Sequence, residues 1–546
     1  MKKIFKKADY FLSKETGTFL KKPGGKIRVC LVYPNVYSVG ITNLGFQTVY
    51  RLLNQRKDTI CERAFLPDEI SENTTIFSVE SKTPLQEFDI LAFSLCFEND
   101  YPNILKILKY SKIPYLTSQR QPHHPLLVAG GILCFSNPEP VSKIFDIVVV
   151  GEAEEIVDNF IEKFLTVRTN SDKKDFKREL KKELVKIDGF YIPEAYEEIY
   201  ENGVLIGRKT LLDEAPERIK KVYSKNFYEN FSYSSIISPL AAFPNMYLIE
   251  TMRGCPFRCR FCLVGHVYTP VRKAKFEGIK DKIKTAKALK ASVGLVAPTI
   301  TAYQDLLKLI AEEEIEISFT SLRADKNTIN ILKNLKTQKT VTLAPETGSD
   351  RLRRVIKKGI TEEEILTIAK ELSETAVQTL KLYFMIGLPF EREEDIDEIV
   401  RLIKKVRELF PRAISVSISV FVPKPFTPMQ WHRMEDIEVV KDRLKNITRD
   451  TTTLKGLRIN PAVIIYSSLQ GSLAQADRRA LSVIERVSEG ESFLKIFEEI
   501  KGFVYKVKGY KDFLPWDFIE HSGLTKEYLW SEYEKAKKEA FQIDNI

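Results

Sequence analysis

The sequence predicts an α/β chain: an N-terminal doubly wound parallel sheet, then an open (β/α)6 partial barrel, then a mostly helical C-terminal region. Three observations carry this. Residues 27–165 alternate short apolar runs with amphipathic stretches, the pattern of a parallel sheet covered on both faces. The alternation resumes near residue 241 and runs through six strand–helix units to about 440. From 441 to 546 helical spacing dominates. The boundaries read as 1–165, a charge-rich connector 166–240, 241–440 and 441–546.

The elements follow in order. Ile27-Arg-Val-Cys-Leu-Val-Tyr33 is a strand and Leu44 to Asn54 a helix. Asp89 to Ser94, Leu126 to Ala129 and Ile144 to Val150 are buried strands, and Glu152 to Leu165 is amphipathic. In the connector, Lys173-Lys-Asp-Phe-Lys-Arg-Glu reads as a solvated helix face. The second set of strands falls at 246–252, 292–297, 315–320, 340–345, 380–387 and 414–422. Thr361 caps a helix running to Thr375, with glutamates in its first turn, where the helix dipole favours them. Parallel sheets bind ligands at the carboxyl ends of their strands. The conspicuous strings fall there: Ser321-Leu-Arg-Ala-Asp325, Ala344-Pro-Glu-Thr-Gly-Ser349, Gly387-Leu-Pro-Phe-Glu391 and Val422-Pro-Lys-Pro425.

Hydrophobic residues make up 44% and charged residues 29%, an ordinary globular balance. The net charge of +10 is spread along the whole chain, so it reads as a solvated surface. Nucleic-acid contact stays open through Asp477-Arg-Arg479, but no basic stripe interleaves with aromatics. No apolar stretch reaches the ~20 residues of a membrane helix. The basic N-terminus lacks an apolar core and is not a secretory signal. The seven cysteines do not form a secreted disulfide framework, so a reducing cytoplasm is expected.

Three of those cysteines stand in Met252-Arg-Gly-Cys-Pro-Phe-Arg-Cys-Arg-Phe-Cys262, a C-x3-C-x2-C triplet. Cys255, Cys259 and Cys262 can hold three irons of a [4Fe–4S] cluster, which usually takes four thiolates; with three, one iron keeps an open position. Arg253, Arg258 and Arg260 would place positive charge beside an anionic cluster, and Phe261 could lie against an adenine ring. The alternative is zinc, with His266 as fourth ligand. Structural zinc sites usually bring separated ligand pairs, and no second pair is present here.

On this triplet, and on Phe93-Ser-Leu95, Val128-Ala-Gly-Gly131, Asn137-Pro-Glu-Pro140, Ser321-Leu-Arg323, Ala344-Pro-Glu-Thr-Gly348, Phe421-Val-Pro-Lys-Pro425 and Leu514-Pro-Trp-Asp517, the chain resembles radical SAM enzymes that carry an N-terminal cobalamin-binding-like domain, within them a subgroup of unassigned function. The resemblance runs nearly end to end. It implies a Rossmann-like first domain, a partial TIM barrel, a [4Fe–4S] cluster, S-adenosylmethionine reductively cleaved to a 5′-deoxyadenosyl radical, and an electron donor such as flavodoxin or ferredoxin. It also implies roles. Glu346 would contact the ribose or methionyl part, Gly387 and Val422 would border the adenine, and Arg323 would meet a carboxylate. The second strand carries Gly294-Leu-Val-Ala-Pro-Thr299 where many relatives have a Gly-Gly-Glu-like run, a departure that leaves the amino-group contact open, with backbone carbonyls as its candidates.

In the first domain the resemblance implies a corrinoid held by Asn35, Tyr37, Gly40, Ser94, Gly130, Gly131, Gly151 and Glu152. Cobalamin modules of the methionine-synthase type carry D-x-H-x-x-G; here the run is Asn35-Val-Tyr-Ser-Val-Gly40, with Tyr37 at the histidine position. A neutral phenol is a poor cobalt ligand. The leading expectation is a cobalamin-dependent C-methyltransferase acting on an unactivated carbon, its substrate unspecified. The alternatives are a methylthiotransferase, whose second cluster would take three cysteines from among Cys30, Cys61, Cys96 and Cys134, a radical SAM enzyme whose first domain binds no corrinoid, and a non-catalytic corrinoid or RNA-binding scaffold.

Overall fold

The computed structural model describes residues 2–22, 24–71, 74–303, 305, 317–319, 322–324, 328 and 339–541. The chain forms two compact units: residues 1–247 with 473–500 and 511–522, and residues 248–472 with 501–510 and 523–546. The tail 441–546, expected from its sequence to be one helical domain, is thus divided between the two units.

The first unit is built on six strands: β1 Ile27–Tyr33, β2 Thr59–Phe65, β3 Ile90–Ser94, β4 Leu126–Gly130, β5 Ile147–Val149 and β6 Phe190–Tyr191. Their order is β2-β1-β3-β4-β5-β6. The first five are parallel and β6 joins antiparallel at the edge. The near-continuous burial of β1 and β2 fits a sheet covered on both faces. Chain order reverses between β1 and β3, where such sheets place ligands. Asn43 caps the helix Leu44–Gln55 by accepting the Phe46 N–H. A hairpin, β7 Tyr196–Glu201 with β8 Val204–Thr210, and the short β9 Ile219–Lys220 occupy the region expected to be a connector.

Arg63 lies wholly buried on β2. Its guanidinium forks onto Glu15 at 2.7 and 2.8 Å, and its Nε donates to Glu80 at 2.6 Å. Every charge in that set has a partner, which a buried charge requires. The returning tail is sewn in by the strings that carry the resemblance. Asn137 donates to Ala474 O and Ala476 O, and Arg478 donates to Glu139 at 2.6 Å and to the Tyr191 hydroxyl at 2.7 Å. Trp516 is fully buried. Arg479 pairs with Asp477. The arginines that left nucleic-acid contact open therefore have partners inside the unit.

The second unit holds parallel strands in two ladders. One is β10 Met246–Glu250, β13 Ser292–Val296 and β14 Ile317–Phe319; the other is β15 Thr340–Glu346, β16 Thr379–Ile386, β17 Ala413–Val420 and β18 Leu457–Pro461. Leu322, three residues past β14, makes an isolated parallel bridge to Leu343 of β15. All six expected strands are present within a few residues. Residues 315–316, 320, 321 and 325 of the third segment lie outside the described residues. β18 is a seventh parallel strand, in a stretch expected to be helical. Thr361 caps the helix Glu362–Ser373 in a full capping box with Glu364.

Candidate active site

The three cysteines sit in a loop closed at its base by β11 Met252–Arg253 pairing antiparallel with β12 Arg272–Lys273. Gly254 takes φ +83°, and a Cβ there would meet Tyr268 O at 2.2 Å, so only glycine lets the two ends of the loop meet. The short helix Val264–Val267 packs back on the turn: a Cβ on Gly265 would lie 3.3 Å from Arg258 Cα and 3.9 Å from Cys255 Cβ. The Cys262 N–H donates to Cys259 O at 3.0 Å. Cys259 is buried; Cys255 and Cys262 are half-buried. Phe261, which precedes Cys262 in the chain, is half-buried.

Burial pushes the Cys259 thiol up, while the Lys358 and Arg323 cations pull it down. Burial takes Cys262 to about 11 against the opposing pull of the Gly265 and Val264 N–H groups. Backbone donors and nearby cations are what a thiolate ligand needs. The cations differ from those expected. Arg253 pairs with Glu250 at 2.7 Å, and Arg260 turns to Glu532 and Glu539. Lys358 and Arg323 face Cys259 instead.

His266 is fully buried. Its Nδ1 donates to Cys262 O at 2.8 Å, its Nε2 has no hydrogen-bond partner, and burial lowers its pKa to about 4. The nitrogen nearest the loop is thus committed to a carbonyl. Among the described residues no three His, Cys, Asp or Glu groups are arranged to hold one ion. A cubane asks for a different arrangement, in which each thiolate takes its own iron.

Glu346 closes β15 with φ +66°, in the left-handed region, after a register shift against β16. Strain of this kind in a non-glycine residue gathers at functional sites. Its Oε1 accepts Lys358 Nζ at 2.8 Å. Arg323 stacks on Phe257 of the cysteine loop, 3.8 Å from the ring centre, and donates to Lys358 O and to Gly359 O, the latter at 2.7 Å. Phe257, Cys259, Arg323, Glu346 and Lys358 therefore form one neighbourhood. Lys358 was not anticipated; its only signal in the sequence is a cation twelve residues after Glu346. Gly387 follows β16 with φ +73°, and its N–H donates to Glu391 at 2.7 Å. The Glu391 side chain is buried and also takes Arg443 at 3.0 Å. Val422 stands two residues past β17, where the Phe421 N–H to Ile386 O bond keeps the ends of β16 and β17 in step. Replacing Glu346 by Gln keeps its shape and removes its charge. The resemblance makes Glu346 a contact of S-adenosylmethionine; on that expectation, at about 1.5–3 kcal/mol for a charged hydrogen bond, the variant binds S-adenosylmethionine roughly 10–100-fold more weakly, with iron content unchanged. Equilibrium dialysis checks this, and undiminished affinity would remove Glu346 from the site.

With the site in view, two family descriptions match the chain: "Radical SAM proteins, N-terminal" over residues 45–193 and "Radical SAM superfamily" over 249–403, together more than half of its length. The chain belongs to the radical SAM superfamily. An uncharacterized protein of Methanocaldococcus jannaschii is 28% identical over 441 residues, covering 79% of this chain and 84% of its own length. A tRNA-2-methylthio-N(6)-dimethylallyladenosine synthase of Clostridium beijerinckii is 28% identical over 178 residues, 29% of this radical SAM chain and 39% of that protein. The ribosomal protein uS12 methylthiotransferase RimO of Thermosipho africanus is 25% identical over 253 residues, 42% and 53% of the two. The solved structure of the cobalamin-dependent S-adenosylmethionine radical enzyme OxsB, with aqua-cobalamin and S-adenosylmethionine bound, is similar at a TM-score of 0.47 and 15% identity, over 88% of this chain and 64% of that one. The chain thus spans less than two thirds of the length of the last three.

The first unit of this radical SAM chain departs from the corrinoid expectation at several positions. Tyr37 is buried. Its ring stacks on Phe11 at 3.9 Å, and its hydroxyl donates to Glu15 at 2.7 Å and lies 3.1 Å from Ser238. The hydroxyl is unavailable to a metal. Glycines expected to open a path for a flat ligand instead let the chain approach itself. A Cβ on Gly40 would strike the Phe65 ring at 2.6 Å, on Gly131 Leu95 O at 2.4 Å, and on Gly151 Val222 O at 2.6 Å. Glu152 accepts the Ser224 N–H and Lys221. Asn35 donates to Asp100 at 2.8 Å, a carboxyl that burial raises to about 6. What stays open at the carboxyl ends of β3 and β4 is Ser94, half-buried beside Cys96, and Gly130, whose Cβ position has no atom nearer than 4.0 Å. Val39 and Phe97, exposed at 40% and 42%, follow β1 and β3. Of the remaining cysteines, Cys30 and Cys61 are buried within adjacent strands and Cys134 is buried past β4. Among the described residues no helix is long and apolar enough to cross a membrane.

Proposed function

We propose that this radical SAM enzyme removes a hydrogen atom from an unactivated carbon of an organic substrate at the carboxyl ends of the second unit's strands. The observation that carries the reading is the shared neighbourhood of the cysteine loop with Lys358, Arg323 and the strained Glu346. When bound, the cluster and S-adenosylmethionine supply one-electron cleavage of the sulfonium to a 5′-deoxyadenosyl radical. The chain's own work is to hold and to shield. Cys255, Cys259 and Cys262 bind the irons. The Val264 and Gly265 N–H groups and the two nearby cations stabilise the thiolates. Glu346 receives the ribose or methionyl part, and the turns at Gly387 and Val422 border the adenine. The electron comes from a small reduced protein of flavodoxin or ferredoxin type, in a reducing cytoplasm.

In the finer reading the first unit carries a corrinoid and the product is a C-methylated substrate. The order of the domains and the open places at Ser94, Gly130, Val39 and Phe97 favour it. Tyr37, covered by Phe11 and Glu15, supplies no lower ligand. The test is anaerobic reconstitution with iron, sulfide and hydroxocobalamin, followed by gel filtration, spectra and assay of 5′-deoxyadenosine. The expected result is 5′-deoxyadenosine release, and a retained corrinoid whose spectrum shows no nitrogen ligand from the protein. A corrinoid that washes off removes the methyltransferase; absent 5′-deoxyadenosine removes the radical chemistry.

A further inference from the structure

The last helix, Lys526–Phe541, belongs by its sequence to a helical tail with no assigned role. It lies in the same unit as the cysteine loop and grips that loop at its centre. Arg260, between Cys259 and Cys262, is 3% exposed. It donates from Nη1 and Nη2 to the Glu539 carboxylate at 2.6 and 3.1 Å, from Nε to Glu532 at 3.3 Å, and from Nη1 to Val355 O at 2.8 Å. Its own N–H donates to Ile356 O at 3.0 Å, and its C=O accepts from the Met429 N–H at 3.3 Å. Side chain and main chain are both fixed at this one residue. Around it, Lys357 donates to Glu532 at 3.1 Å and the Arg258 guanidinium lies 5.6 Å from the Tyr528 ring centre. The far end of the helix is held where Ala540 O accepts Arg392 at 2.7 Å, as a helix C-terminus favours.

A guanidinium gripped two-pronged by a carboxylate is fixed in direction as well as position. A residue so fixed, with a ligand cysteine next to it on one side and another two residues away on the other, limits how far the two thiols can separate. Groups behind metal ligands set ligand orientation and metal retention. We propose that Glu532 and Glu539 are positioning residues which, through Arg260, hold Cys259 and Cys262 at the spacing a cluster requires, so that cluster retention is governed from the C-terminal helix. The proposal rests on the cluster reading of the cysteine triplet.

The test uses the full chain, reconstituted anaerobically, as wild type, Glu539→Gln, Arg260→Met and the double variant. Three quantities are read: the rate at which a ferrous chelator removes iron, the electron paramagnetic resonance spectrum of the reduced cluster, and thermal unfolding of the iron-free chain. Glu539→Gln leaves Arg260 its bonds to Glu532 and Val355, so it tests the grip without stranding a buried charge. The variants are expected to load iron and lose it about 10–100-fold faster than wild type, with displaced g values; iron-free unfolding stays unchanged in Glu539→Gln, while Arg260→Met takes a buried partner from Glu532 and lowers it. The double variant should lose iron no faster than Arg260→Met, since both changes cut one connection. Wild-type release rates and spectra, additive effects, or a loss in Glu539→Gln matched by a fall in its iron-free stability would each overturn the proposal. A wild-type chain that takes up no iron would overturn the cluster reading itself.

Discussion

Cys259→Ala is expected to leave both units folded while abolishing iron binding and 5′-deoxyadenosine formation. Cys259 is the buried member of the triplet and the one that faces Lys358 and Arg323. Changing a partner behind a metal ligand costs about 10–100-fold, so loss of a ligand should exceed about 100-fold. Alanine removes only one sulfur, and unfolding should shift by no more than about 2 kcal/mol. Iron analysis, visible absorption and circular dichroism together separate a lost ligand from a lost fold. The matched comparison is Cys30, Cys61, Cys96 and Cys134, each changed to Ala. Under the single-cluster account none of the four alters the iron count. An iron count that falls with them would restore the methylthiotransferase reading with its second cluster.

The second large effect concerns packing. Gly348→Ala should destabilise the second unit severely. A Cβ at 348 would lie 2.1 Å from Ile399 N and 2.2 Å from Glu398 C, both backbone atoms of the helix Glu393–Leu409. Backbone cannot swing aside as a side chain can. The cost should stand at or above the ~3 kcal/mol upper end of ordinary overpacking, a fall in melting temperature of about 6–12 °C for a domain of this size. Gly502→Ala in the same unit is the control: its added methyl meets nothing within 4 Å, and a change within about 0.5 kcal/mol is expected. Equal melting of the two variants would contradict the close approach. Because Gly348 directly follows Glu346-Thr347, this packing also fixes where Glu346 leaves β15.

Much of the fold was legible because its signals are local. The apolar runs gave all six expected strands of the second unit, and Thr361 ahead of a run of glutamates gave a helix start to the residue. β18 was not legible: Leu-Arg-Ile-Asn-Pro is half-polar, ends in proline and lies at the ladder's edge, where burial imposes no alternation. The cysteine triplet was legible because the motif is compact. Its surroundings were not, because they are assembled over long range. Lys358 reaches the site by pairing with Glu346, and Arg260 leaves it for a helix about 270 residues later. Tyr37 shows the same limit. Its place after β1 could be read, but its covering by Phe11 and Glu15 depends on the helix Lys2–Lys14 and the residue after it folding over it.

The account's central claim is a cluster bound at three corners with one iron left for a small ligand. Electron paramagnetic resonance of the anoxically purified, reduced chain, recorded before and after S-adenosylmethionine is added and alongside metal analysis, addresses it most directly. The account predicts one [4Fe–4S] cluster per chain and a signal whose g values move on addition. A chain carrying zinc instead, or a signal that S-adenosylmethionine leaves unmoved, would contradict it.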